Sequence, residues 1–309
     1  PDLETLAAYA SRRGLRVGLS PSATPEFVQK DLRALKQAGI ARISLSLDGA
    51  TRASHDRFRG VDGTWDWTMQ AIEKARAADL PLQINTTFTQ QNLGDFDAFV
   101  ALLTEIRPVL WSVFQLVPTG RGKVKDMLSG EQMEELFLKL YRLSKTVPYD
   151  IKTTEGHHYR RVVLQQEAAD GHGAARPLAR AGSVPGPLSG FGQNARAPLG
   201  INDGKGFVFV SHTGQICPSG FLPLSPGNVR THDLLDVYQN SAVFRELRDA
   251  RRLKGKCGRC EFNELCGGSR ARAYALTGDY LAEEPLCVYE PGAGPGRPAP
   301  GASVVAAPA

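Results

Sequence analysis

The chain has 309 residues, 42% of them hydrophobic and 22% charged, with a net charge of +5. That length suits one large domain, or a large domain plus a small one. The charge is too mild and diffuse for a nucleic-acid surface, and no apolar run approaches the ~18–20 residues that a membrane helix needs.

No secretory signal opens the chain. Five cysteines, four of them from Cys257 onward, do not resemble a secreted disulfide framework. A cytoplasmic setting in which clustered thiols bind metal is the expectation.

The first predicted element is an amphipathic helix over 2–13, entered with no preceding strand, with Leu3, Leu6 and Ala10 at helical spacing. Strand–helix units follow: a strand at 16–20, a helix at 25–39 with Pro25 near its start, a strand at 41–48, a helix at 64–79 opened by Thr64, a strand at 81–89, a helix at 95–107, a strand at 110–117 and a helix from 130 to about 146. Strand–helix alternation with short connections predicts a parallel sheet. We read 1–150 as an incomplete (βα) barrel that opens in mid-repeat, with an open doubly wound sheet as the competing arrangement.

The strands carry a finer pattern. Ile43, Leu45, Leu47, Ile84 and Phe88 suit an outer face covered by helices, which turns Ser44, Ser46, Asp48, Gln83, Asn85, Thr87 and Thr89 inward. Small and polar inward rows predict a wet lumen that holds a ligand, where a closed core would prefer bulky branched residues. Residues 151–206 read as an irregular linker on the substrate side, carrying Glu-Gly-His-His-Tyr-Arg-Arg at 155–161. A hairpin over 206–220 turns at Thr213–Gly214, two short helices follow near 233–239 and 242–252, and the tail 291–309 is low-complexity and expected to be disordered.

The sequence KCGRCEFNELCGG at 256–268 places Cys257, Cys260 and Cys266 close together, with Cys287 downstream. A Cys-x2-Cys turn aims two sulfurs at one centre, and Gly258, Gly267 and Gly268 let the backbone close around it. Lys256 and Arg259 are placed to offset thiolate charge. By spacing alone, a structural zinc and an iron–sulfur cluster are both open, with a disulfide the weaker option.

These residues bring a resemblance with them. Cys257-x2-Cys260-x5-Cys266 with Cys287, preceded by Cys217 in QICPSG and by GNVR, resembles the SPASM domain of radical S-adenosylmethionine (SAM) enzymes. RISLSLDGATRASHDRFRG at 42–60, LSPSAT at 19–24 and VPTGRG at 117–122 resemble successive strand ends of that family's barrel, and the subgroup most resembled is the heme-biosynthesis type.

The resemblance implies a radical SAM (βα) barrel over 1–150, and a SPASM-like iron–sulfur domain over 207–290 with an auxiliary [4Fe–4S] cluster on Cys257, Cys260, Cys266 and Cys287. The full-length protein is then expected to hold SAM and a second [4Fe–4S] cluster that cleaves it. Two departures stand out. The family's Cys-x3-Cys-x2-Cys motif is absent, as it would be if about fifty to sixty residues, two βα units, preceded Pro1. Fuller SPASM patterns carry a cysteine where this chain has Arg270, and Gly227 with His232 stands for a glycine-then-cysteine element, so Cys217 has no complete ligand set.

By position, Ser22, Ser46, Asp48 and Asn85 are the implied SAM contacts. His157, His158, Arg160 and Arg161 are the substrate candidates, because arginines grip carboxylates bidentately. His55 and Asp56 are read as loop braces. The implied activity is that of an oxidoreductase acting by hydrogen abstraction on a tetrapyrrole, served by an electron donor such as flavodoxin or ferredoxin. The fragment alone is expected to be inactive. A peptide-modifying maturase and a non-catalytic zinc- or cluster-binding protein are the competing readings.

Overall fold

The computed structural model describes residues 2–170 and 200–292. Among these, one compact unit holds 2–116 and 142–154, and a second holds 117–141, 155–170 and 200–292.

The first unit starts with helix α1 (Leu3–Arg12) and strand β1 (Val17–Leu19). The predicted helix over 25–39 is two helices, α2 (Pro25–Val28) and α3 (Leu32–Gln37). The break has a local cause: Asp31 is extended, and its carboxylate caps the Arg33 N–H at 2.9 Å, which restarts the helix. Strand β2 (Ile40–Ser46) leads to α4 (Arg52–Arg59), a helix outside the predicted set, and then to α5 (Thr64–Ala77). Helix α4 forms because Thr51 and Ser54 make a reciprocal capping box at its start and Gly60 closes it at φ +72°.

Strand β3 (Leu82–Phe88), helix α6 (Phe96–Ile106), strand β4 (Leu110–Gln115) and strand β5 (Asp150–Thr154) complete the unit. The five strands are parallel and neighbour one another in chain order, β1 through β5. A doubly wound sheet would reverse its order at a switch point, and no reversal occurs among the described strands.

Side-chain alternation is as expected. Ile43, Leu45, Leu47, Ile84, Phe88, Trp111 and Val113 are fully buried on one face. Trp111 sits among Phe88, Phe96 and Phe99, with ring centroids 6.0–6.4 Å away. The opposite row runs across the sheet in register, Ser46 to Asn85 to Ser112 to Lys152.

Strand β5 and helix α8 (Tyr159–Ala169) correct the irregular reading from 151 onward. Among the described strands, β5 ends the sheet order beside β4; all five of its residues are partly exposed, so no buried stripe marks it. The remainder of that linker from 171 to 199, and the tail from 293, lie outside the described residues.

The second unit contains α7 (Gly130–Leu143) up to Tyr141, with Met133, Leu136, Phe137 and Leu140 buried. It also holds α8 and a small antiparallel sheet of β6 (Phe209–Val210), β7 (Gln215–Cys217) and β8 (Gly227–Asn228). Helices α9 (Leu234–Asn240), α10 (Ala242–Arg248), α11 (Gly255–Arg259) and α12 (Arg270–Thr277) follow. The cysteine-rich part is therefore not confined to 207–290: residues 117–141 and 155–170 belong to the same unit. Its core includes Val117, Leu222, Leu247 and Ala271.

Candidate functional site

The four C-terminal cysteines converge. Cys257 on α11, Cys260 just after it, and Cys266 and Cys287 on loops line one cavity, together with His158 and Arg161. All four are unpaired thiols. Glu284 donates its backbone N–H to the Cys257 sulfur at 3.3 Å, and Gly268 donates to the Cys266 sulfur at 3.4 Å. Asn202 holds this loop by donating to the carbonyls of Cys266 at 3.2 Å and Gly268 at 2.8 Å. Burial pushes the Cys266 thiol up to about 12 and the Cys287 thiol up to about 11, and neighbouring thiols add to the rise. Such thiols keep their protons unless a positive centre displaces them.

Among the described residues, no three His, Cys, Asp or Glu side chains gather closely enough to hold one metal ion. A tetrahedral zinc with Zn–S near 2.3 Å draws its sulfurs to roughly 3.8 Å from one another. A four-iron cube inserts itself between its thiolates and spaces them further apart.

The substrate candidates are placed differently from the sequence reading. His157 and His158 are buried, and both ring nitrogens of His158 lack a partner. His158 packs edge-on to Phe137 at 4.7 Å. Burial, with Arg272 and Arg161 nearby, holds its pKa well below the ordinary histidine range. Arg160 donates to the carbonyls of Leu265 at 2.9 Å and Ile201 at 2.6 Å. Arg161 makes a two-pronged bond to Glu134 at 2.8 and 2.5 Å and lies over the Tyr289 ring. Both guanidinium groups are thus spent within the second unit, and residues 155–161 form part of the cysteine cavity's support.

That support is tied to α12. Glu155, at φ +56°, accepts from the Ser269 hydroxyl, and its carbonyl accepts from Arg272 at 2.8 Å. Burial holds the Glu155 carboxyl well above the usual range, and Asp203 adds to the shift. Ser269 caps α12, and its own N–H is held by Glu284 at 2.7 Å. The sequence offered one signal for this network, the pair of glycines before Ser269, where the chain turns at φ +65° and +64°.

In the first unit, Ser46 and Asn85 are register partners on the polar row, and Asn85 accepts from Gln83 at 2.6 Å. Ser22 is exposed on the loop after β1. Asp48 is buried with both oxygens engaged, one by the Thr87 N–H at 2.8 Å and the other by Arg59 at 3.1 Å. Its carboxylate therefore orders the turn after β2. His55 accepts from the Asp48 N–H at 3.1 Å, and Asp56 accepts from the backbone of Gly63 and Trp65 at 2.9 and 2.7 Å. Both are braces. Cys217 is a buried thiol on β7, raised by burial, and His232 bonds its own loop at Thr231.

A parallel sheet in chain order with a polar inner row is the arrangement of a radical SAM barrel, and the chain belongs to the radical SAM superfamily of enzymes. The profile of that superfamily matches residues 1–103. The chain is 41% identical over 295 residues to the AdoMet-dependent heme synthase of Methanosarcina barkeri, covering 94% of this chain and 80% of that protein. It is 40% identical over 295 residues to the AdoMet-dependent heme synthase of Nitratidesulfovibrio vulgaris, covering 94% and 76%. The solved structure of Streptococcus suis SuiB bound to S-adenosylmethionine has the same fold at 16% identity and a TM-score of 0.58; the match covers 92% of this chain and 62% of SuiB. Membership implies SAM and a [4Fe–4S] cluster. Among the described residues, no helix is long and apolar enough to cross a membrane.

Proposed function

We propose that the chain is that of a radical SAM/SPASM oxidoreductase acting on a tetrapyrrole, and that Cys257, Cys260, Cys266 and Cys287 hold an auxiliary [4Fe–4S] cluster. The observation that carries the cluster reading is the convergence of four unpaired thiols on one cavity whose wall includes His158, a buried ring with two unpartnered nitrogens. A buried polar atom left unpaired is costly, and a cluster sulfide or thiolate beside His158 would satisfy it.

When bound, the SAM-cleaving cluster and SAM supply radical hydrogen-abstraction chemistry, a task the cofactor performs and the protein orients. The chain's own contribution is placement. Ser46 and Asn85 offer polar groups on the inner row for the ribose or amino-acid part of SAM, Ser22 offers a hydroxyl on the adjacent loop, and Asp48 keeps the turn after β2 in shape. In the second unit, Gly268 and Glu284 hold thiolates with backbone N–H groups. The tetrapyrrole reading rests on the identity to the two heme synthases over 94% of the chain.

The test is anaerobic reconstitution with iron and sulfide, followed by titration with a tetracarboxylate iron porphyrin. About four irons and matched sulfide per chain, visible charge-transfer absorbance and saturable porphyrin binding support the reading. One zinc and no iron would sink the cluster assignment. No porphyrin binding would sink the substrate assignment and favour a peptide.

A further inference from the structure

Lys256 and Arg259 were the cations expected to balance the thiolates. Lys256 donates to the Cys287 carbonyl at 2.6 Å, and Arg259 reaches Glu290 at 3.5 Å on the surface. Arg161 also lines the cavity but is paired with Glu134, whereas the Arg270 guanidinium lies 3.8 Å from the Cys257 sulfur.

Arg270 is 1% exposed. Its hydrogen bonds run to the carbonyls of Gly268 at 3.5 Å, Tyr280 at 3.1 Å and Ala282 at 2.5 Å, and to the Cys257 sulfur at 3.8 Å. None of these partners is a carboxylate. Arginine keeps its proton in proteins, so a full positive charge is buried here and requires a counter-charge. Asp203 and Asp279 feel the Arg270 charge, but neither is among its hydrogen-bond partners, and each acid nearby has other partners, Asp279 being paired with Lys254 at 2.5 Å. Glu284 is bonded to the Ser269 and Leu286 N–H groups and paired with Arg272 at 3.5 Å, and Asp203 accepts from the Ala271 N–H at 3.0 Å. The space is also reserved. Gly268 has φ +64°, and a Cβ on it would sit 2.6 Å from the Arg270 guanidinium and 3.4 Å from the Cys257 sulfur.

We propose that Arg270 is the charge-compensating partner of the cysteine-held cluster. It acts through Cys257 and stands at the position where fuller SPASM patterns carry a further cysteine. This rests on the cluster reading above. Reduction adds negative charge to a cluster, so a fixed cation against one of its thiolates favours the reduced form and raises the potential. The backbone N–H groups of Glu284 and Gly268 act in the same direction as neutral dipoles, whereas Arg270 adds a whole charge. Arg270 is thus a tuning residue that need not touch the substrate.

The experiment uses the full chain, reconstituted with iron and sulfide, and Arg270→Gln and Arg270→Lys variants treated in the same way. Iron and sulfide content are measured first, then the midpoint potential by spectroscopically monitored redox titration. No other cluster motif is present in the sequence to overlap the signal. We expect Arg270→Gln to keep the wild-type iron content and shift the midpoint to more negative potential, and Arg270→Lys to shift it less. An unchanged potential in iron-replete Arg270→Gln overturns the proposal. If Arg270→Gln takes up no iron, Arg270→Lys decides. Restored loading supports a requirement for charge, and a folded Arg270→Lys protein without iron overturns it. Failure of the underlying cluster reading is seen separately, as no iron in the unmutated chain, and takes this inference with it.

Discussion

Two cysteines of the same chain make opposite predictions. Cys266 is buried, faces Cys257 and Cys287, and lines the cavity with them. Cys217 sits on β7 near Ser225 with no second thiol beside it. Cys266→Ser is expected to lower the bound iron, because it removes one of the four thiolates that line the cavity. Cys217→Ser is expected to keep the full iron content. Equal loss in both, measured as iron per folded chain, would mean that Cys217 is a ligand and the assignment of four is wrong. The His158 side chain shows how far residue types alone mislead. Read from the sequence, a histidine pair beside two arginines looks like an anion grip; in the structure, all four side chains are at least partly buried and the arginines are spent on Glu134 and on backbone carbonyls.

At the scale of elements, the apolar alternation on β2 and β3 was readable because one face must meet helices, and a period of two leaves no other register. Helix α8 and strand β5 were not readable. In α8 the buried residues are Tyr159, Arg161 and Val162, so a charged side chain interrupts the apolar stripe. Its place in the fold comes from Glu134, which pairs with Arg161 across a long sequence gap. The first unit's core supplies a direct check. Trp111 is fully buried among three phenylalanines and donates to the Thr86 hydroxyl at 2.9 Å. Trp111→Ala should cost roughly 3–5 kcal/mol of stability in urea unfolding, since the cavity cannot collapse between β4 and α6. A cost below about 1 kcal/mol would mean that this core is not packed as described.

The turn after β2 adds a pH dependence. Burial pushes His55 down to about 4, Arg59 adds to the shift, and Asp56 opposes it. In the unfolded chain the ring titrates near about 6.5. Between those values the unfolded state binds the extra proton, so stability is fully present above about 6.5 and is lost as pH falls toward about 4. His55→Gln should lower stability at pH 7 by removing a buried ring that accepts from the Asp48 N–H. It should also flatten the fall between those pH values, as followed by urea midpoints. A slope unchanged by the substitution would show that His55 is not titrating with folding.

On the scale of the whole molecule, the distribution of cysteines separates two kinds of chemistry. Four thiols line the cavity of the second unit and Cys217 lies in its small sheet; the unit built on the parallel sheet contains none. An iron–sulfur cluster needs thiolates to hold it, so the polar row of Ser46 and Asn85 has no ligands of its own for a SAM-cleaving cluster. The 309-residue chain, loaded with iron and given dithionite and SAM, is therefore expected to release no 5′-deoxyadenosine above a cluster-free control while still showing the spectrum of a reduced cluster. Chromatographic detection of 5′-deoxyadenosine that scales with the iron in Cys257, Cys260, Cys266 and Cys287 would mean that this cluster itself cleaves SAM. It would move the site of the radical chemistry from the sheet to the second unit, where Arg270 would then sit beside the reacting centre.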